Sequence, residues 1–86
     1  MRIRRSQVFL CVFAYNFTMK IFCERFKELR KEKNISTTEL GKILNVNGST
    51  ITRWENGIIV PSIDHLFNIS KYFDVSADYL IGLTDF

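Results

Sequence analysis

Ser49, Thr50, Thr52 and Arg53 place three hydroxyls and a guanidinium within five consecutive positions, interrupted only by Ile51. Such groups make hydrogen bonds and carry charge, which is the chemistry of recognition. Ile51 and Trp54, at i,i+3, form the inward side of a short helix, and the four polar residues then turn toward other faces, mostly solvent. Bond-breaking chemistry needs a nucleophile with a base, paired carboxylates or a metal cluster. His65 lies in the first turn of an expected helix and reads as a surface residue. Asp74 and Asp78, at i,i+4, read as a turn residue and a solvated face. Cys11 and Cys23 are too few for a disulfide framework and form no C-x-x-C pair, and with one His they cannot build a zinc site at any usual spacing. The expectation is therefore no enzyme, no cofactor and no metal, with two buried or half-buried thiols in a reducing cytosol.

The elements that must position this row are short. Helix periodicity predicts a first helix over about 20–33, with Phe22, Phe26 and Leu29 as its apolar stripe and Asn34 as a left-handed terminator. A second helix is expected from Ser36 or Thr37 to near Leu44, because Ser36-x-x-Glu39 has capping-box spacing. Leu40, Ile43 and Leu44 supply its core face. Gly41 weakens a helix interior by about 1 kcal/mol relative to Ala, which close approach of a neighbouring helix would offset. Asn45 tolerates the positive φ of a tight turn. The third helix runs from an Asn47 cap to near Glu55 and is ended by Asn56-Gly57. A fourth starts at Ser62 and ends near Phe73, burying Leu66, Ile69, Ser70 and Phe73, with Asp74 in the turn. A fifth is short, from Ser76 to Ile81, ended by Gly82. Five short helices and no convincing strand after residue 19 give an all-α domain.

Eighty-six residues make one small domain, of a size that buries only about 60% of its unfolded surface. The net charge of +3 is unevenly spread. Residues 20–60 carry eight Lys/Arg against five Glu, whereas residues 61–86 carry only Lys71 against Asp64, Asp74, Asp78 and Asp85. A basic face opposite phosphate fits that polarity, and a solvated surface with chance asymmetry fits it too.

Residues 1–18 differ from the rest. Met1-Arg-Ile-Arg-Arg is basic and Val8 to Tyr15 is almost wholly apolar. No small-x-small cleavage site follows, and the run is far short of the roughly 20 residues that span a bilayer. Asn-x-Ser/Thr sequons begin at Asn16, Asn34, Asn47 and Asn68; three lie inside the domain and read as chance. Three accounts of this extension stand open. Met19 could be the true start; Val8 to Thr18 could be an extra β-strand, suited by its β-branched and aromatic residues; or the segment could anchor to a membrane surface.

Several stretches together resemble the Cro/cI-type (XRE) helix-turn-helix family of bacterial and phage regulators. They are Phe26-Lys-Glu-Leu-Arg-Lys-Glu-Lys, Glu39-Leu-Gly-Lys-Ile-Leu, Ser49-Thr-Ile-Thr-Arg-Trp-Glu-Asn-Gly, Pro61-Ser and Tyr72-Phe-x-Val-Ser-x-Asp-Tyr-Leu-x-Gly. The resemblance implies a lambda-repressor-like five-helix domain over residues 20–83, with residues 1–19 as an atypical extension and 84–86 as a tail. It implies that Ser49, Thr50 and Arg53 face a DNA major groove, with Thr52 near the edge of the site. A guanidinium can bond bidentately to guanine O6 and N7, so Arg53 is the expected base reader. Thr37, Thr38, Asn47, Gly48 and Asn56 match phosphate-contacting positions, although Asn47 and Asn56 also serve as caps. Arg30 and Glu55 match a structural salt bridge between helices 1 and 3. Two departures stand out. Gly48 sits where many relatives carry Gln, Arg or Lys, and the Ile58-Ile-Val60 loop is apolar where relatives often carry cations.

The function this resemblance implies is sequence-specific binding of double-stranded DNA by a cytoplasmic transcriptional regulator. A repressor is expected, acting as a homodimer on a pseudo-palindrome with half-sites about one helical turn apart. Tyr79, Leu80, Leu83 and Phe86, or the 8–18 segment, could form the dimer interface. The alternative is a protein-interaction module of the same fold, without DNA binding, that docks a partner protein on the Ile58–Val60 loop.

Overall fold

The computed structural model describes the backbone of residues 5–86 and the side chains of residues 17–86. Five helices follow in order: α1 (Arg5–Glu32), α2 (Thr37–Leu44), α3 (Gly48–Glu55), α4 (Ile63–Phe73) and α5 (Ala77–Ile81). No strand occurs among the described residues.

Local chemistry sets most boundaries. Ser36, Ser62 and Ser76 each accept a hydrogen bond from the backbone amide three residues on, which caps α2, α4 and α5. At Ser36 the Glu39 side chain reaches back to the cap amide and completes the capping box. Asn34, Asn45 and Asp74 take positive φ at the helix ends, as short polar side chains can. Asn47 caps α3 by position, with no side-chain bond to the helix.

The core gathers around Phe26. Its ring stacks on Phe22 at 5.3 Å, meets Trp54 at 6.1 Å and meets Phe73 edge-on at 6.2 Å. Leu40, Leu44, Ile51, Ile69 and Leu80 complete the buried set, so all five helices contribute. Aromatic pairs in these geometries add about 0.5–1.5 kcal/mol each beyond area burial.

Four expectations need correction. Val8 to Thr18 is helical, not a strand, and α1 begins at Arg5 instead of Lys20. No Gly or Pro precedes Gly41 in this sequence, so nothing interrupts the helix. A helix also satisfies its own backbone, whereas a lone strand needs a partner. Ile43 is 47% exposed, because Leu40 and Leu44 already fill the α2 stripe. Leu80, offered for a dimer interface, is wholly buried in the core. His65 is half-buried, its ring 5.1 Å from that of Trp54 and its Nδ1 2.9 Å from Ser62 Oγ. The expectations that concern residues 1–4, and the side chains of residues 5–16 including Cys11, lie outside the described residues.

Gly41 is required by contact. A methyl group there would sit 2.6 Å from the Val46 carbonyl oxygen and 3.0 Å from the Gly48 amide nitrogen. Ala is the better helix former by about 1 kcal/mol, yet overpacking against fixed backbone costs about 1–3 kcal/mol. The expected outcome for Gly41→Ala is a net loss of stability, read as a lower midpoint in urea denaturation. A gain would mean that α2 and the following turn are not this close.

Candidate nucleic-acid interface

The α2–turn–α3 unit is built from backbone upward. Val46 N donates to Gly41 O at 2.8 Å across the left-handed Asn45. The first turn of α3 then lies against the first turn of α2. A side chain on Gly48 would meet the Cα of Thr38 at 3.2 Å, so the glycine lets the two helix starts approach. Gly41, Lys42, Asn45, Val46 and Asn47 line an open groove at this turn.

The α3 helix is anchored on its inner face by three residues. Ile51 and Trp54 enter the core, and Glu55 is buried beside them. Glu55 receives two hydrogen bonds from Arg30 of α1, from Nε at 2.7 Å and Nη2 at 3.1 Å. Arg30 Nη1 donates to Ile35 O at 2.9 Å, which ties the α1–α2 turn to the same pair. The Glu55 hydrogen bond holds the Arg30 proton more firmly than usual, against an opposing desolvation cost. Cys23 Sγ donates to Trp54 O at 3.2 Å, a third tie from α1 to the end of α3.

With the inner face fixed, the outer face is determined. Ser49, Thr52 and Arg53 are exposed and Thr50 is half-buried. Thr52 Oγ1 donates back to Gly48 O at 3.3 Å, which leaves its oxygen as an acceptor. Arg53 has no hydrogen bond or ion pair among the described residues, so its guanidinium is available to a ligand. At the helix start, Asn47 is exposed with its side chain uncommitted to the cap, and the first amides of a helix have no internal acceptor. Thr37, half-buried, and Thr38, exposed, stand on the first turn of α2 beside Gly48. Asn56 is exposed at the far end of α3, about 12 Å away along an eight-residue helix. Two positive helix starts, a free guanidinium and several hydroxyls on one side can bind a phosphate-bearing polymer and meet base edges.

Other cations that seemed to belong to a basic face serve the fold. Arg25 donates to the carbonyls of Tyr79 and Thr84, the latter at 2.7 Å, and lies 4.2 Å from the centre of the Tyr79 ring. Lys33 caps α4, with Nζ 3.4 Å from Tyr72 O and 4.3 Å from the Tyr72 ring centre. Nothing local in the sequence marks these pairings, which join residues 39 to 59 positions apart. Among the described residues, no group of His, Cys, Asp or Glu is gathered to hold a metal ion, and no helix is long and apolar enough to cross a membrane.

Comparison with known proteins agrees with this geometry. A family model described as helix-turn-helix matches residues 26–80, well over half of the chain. The chain belongs to the XRE-type helix-turn-helix family. Among curated proteins it is 31% identical to the uncharacterized HTH-type transcriptional regulator YobD of Bacillus subtilis, over 76% of this chain and 58% of that one. It is 37% identical to the HTH-type transcriptional activator BcrR of Enterococcus faecalis, over 71% of this chain and 30% of that one. Repressor protein C2 of Salmonella phage P22 is 34% identical over 67% of this chain and 27% of its own length. The chain thus spans less than two thirds of the length of each of these relatives. Its fold is similar to the crystal structure of the P22 c2 repressor in complex with a synthetic operator, with a TM-score of 0.67 and 33% identity, covering 70% of this chain and 91% of that one. The matched stretch includes α2, the turn and α3.

Two measurements test how this unit is held. Removing Arg30 alone leaves Glu55 as an unpaired buried carboxylate, so Arg30→Ala is expected to cost about 3–5 kcal/mol in denaturant unfolding. The double change Arg30→Met with Glu55→Leu should recover most of that loss. If Arg30→Ala is neutral, the pair does not fix α3. Burial pushes the Cys23 thiol above its ordinary range, partly opposed by a hydrogen bond with its own backbone. The protonated thiol is the form the fold favours, so its contribution is present below the ordinary thiol range and lost as pH rises through the raised value. In a Cys11→Ser background, alkylation of Cys23 should therefore stay slow at neutral pH and accelerate only at a pH above that at which an unfolded control reacts.

Proposed function

We propose that this chain binds double-stranded DNA sequence-specifically through the outer face of α3 and acts as a transcriptional regulator, in the sense of a repressor. Arg53 reads a base in the major groove, with Ser49 and Thr50 on the same side and Thr52 at the edge of the site. Thr37, Thr38, Asn47, Gly48 and Asn56 hold the flanking phosphates, the first four through or beside the two helix starts. The observation that carries this reading is the uncommitted Arg53, exposed on a helix whose opposite face is locked by Ile51, Trp54 and the Arg30–Glu55 pair. The operator-bound state of the similar P22 c2 repressor supports it. So do the relatives, two of them HTH-type transcriptional regulators and one a phage repressor.

Arg25, Arg30 and Lys33 are committed to the fold, which leaves Arg53 on α3 and Lys42 beside the turn as described cations near the site. One module with one strong base reader gives little discrimination, about 1–3 kcal/mol for a good bidentate pair. Use of two copies on a pseudo-palindrome doubles the contacts, with half-sites about one turn apart.

Selection from a random duplex pool at two salt concentrations tests the proposal. An inverted repeat should be enriched. Arg53→Ala should cost about 1–3 kcal/mol on the selected site and relax one position. The salt dependence should be shallow, because few phosphates are contacted. Absence of any duplex binding at low salt would sink the DNA reading and leave a protein-docking module.

A further inference from the structure

The α1 helix runs over 28 residues, about 42 Å at 1.5 Å per residue. Among the described residues, its contribution to the core begins only at Met19 and Phe22, and about four turns precede that point. Between Arg5 and Lys20 the chain holds no charged residue, and most positions are apolar. Phe9, Phe13 and Phe17 follow one another at four-residue spacing, so they stand on one strip of the helix. Phe17 is 54% exposed. Continued at spacings of three and four, the strip reaches Lys20, Glu24, Lys27 and Lys31, all exposed, while Phe22 and Phe26 are buried on the other side. The strip is therefore the outer side of α1. A helix that is apolar on its outer side as well as its core side is ordinarily covered on both.

We propose that the strip Phe9–Phe13–Phe17 receives the same strip of a second copy of this chain, with the two α1 helices packed antiparallel about Phe13. The contact does not depend on the DNA-binding reading above, and it gives the two copies used there a place to meet. Symmetry is the first argument for the occupant. An isologous contact maps a surface onto itself, and the strip is centred on its middle member: Phe13 meets Phe13, and Phe9 of each copy meets Phe17 of the other. Charge is the second. Arg2, Arg4, Arg5 and Lys20 are the only charged residues before Glu24. In a parallel pair each would stand beside its own counterpart. In the antiparallel pair Arg5 falls opposite position 21, about one turn from Glu24 of the other copy, and Lys20 falls opposite Ser6. Flanking charges of this kind set helix orientation. Area is the third. A buried phenylalanine removes about 150–250 Å² from water, so three of them bring the contact close to the roughly 800 Å² per partner of a stable interface. A lipid surface fits less well, because the strip runs on into Glu24, and anionic headgroups attractive to the arginines would repel that carboxylate.

The full chain is measured by sedimentation equilibrium over its soluble concentration range. Wild type is expected to be a dimer. Phe13→Glu should be a monomer over the same range, and Phe9→Glu should act alike. Both positions precede the core residues of α1, so each variant should keep a cooperative denaturant transition by Trp54 fluorescence. Arg5→Glu should weaken pairing several-fold, and adding Glu24→Lys to it should restore the loss. If wild type stays monomeric, or if Phe13→Glu pairs as wild type does, the interface is overturned. If the second change restores nothing, the antiparallel arrangement is overturned. Monomeric wild type that floats with vesicles of phosphatidylcholine and phosphatidylserine would overturn it too and assign the strip to lipid. Titration onto a duplex separates the two readings. A dimer that Phe13→Glu dissociates but that binds no duplex leaves this interface standing and removes the DNA reading; a monomer that binds duplex does the reverse.

Discussion

The distance between α2 and α3 is set by backbone touching backbone. At Gly41 the chain has no room for even a methyl group, because the Val46 carbonyl and the start of α3 already occupy that space. Gly48 makes the reciprocal approach, resting against Thr38. Asn45 supplies the positive φ that lets the chain reverse within three residues. Everything on the outer surface inherits its position from this contact. Once the two helix starts are pressed together, Thr37 and Thr38 of α2 and the polar row of α3 lie on adjoining first turns.

Backbone contact fixes where α3 sits, but not how it is rotated. Rotation is set by what α1 grips. Trp54 packs against Phe26, Cys23 donates to the Trp54 carbonyl, and Arg30 holds Glu55 with two hydrogen bonds. A buried ion pair gains little net stability over apolar packing, because both charges must be desolvated. Its geometric demand is what matters here. A hydrophobic side chain tolerates a range of rotations, whereas a bidentate pair accepts one. That single setting keeps Ser49, Thr52 and Arg53 outward.

The parts of this architecture legible in the sequence are those written in local chemistry. Ser36-x-x-Glu39, Ser62, Ser76, Asn34 and Asn45 act on their own neighbours, so their caps and turns could be read directly. The stripes Phe22–Phe26 and Ile51–Trp54 were readable because helix periodicity needs only a few residues. Long-range choices were not. Nothing near Ile43 says that Leu40 and Leu44 suffice for the core, and nothing near Leu80 says that α5 folds inward over α1. The apolar 8–18 segment has strand-like composition, yet β-propensity reports a packed sheet surface, and no neighbouring strand exists among the described residues. Arg25 and Lys33 looked like surface charge for the same reason. Their acceptors, carbonyls of Tyr79 in α5, Thr84 beyond it and Tyr72 in α4, lie far away in sequence.

Those two pairings bear on how the molecule is used. Cations near the C-terminal ends of helices complement the partial negative charge there, so Arg25 and Lys33 are committed to closing α5 and α4 over α1. Arg30 is committed to Glu55. Arg53 is the one cation of α3 itself. On the proposed reading, affinity and discrimination cannot come from the density of contacts on one copy. They come from repeating a small, rigidly oriented set of contacts.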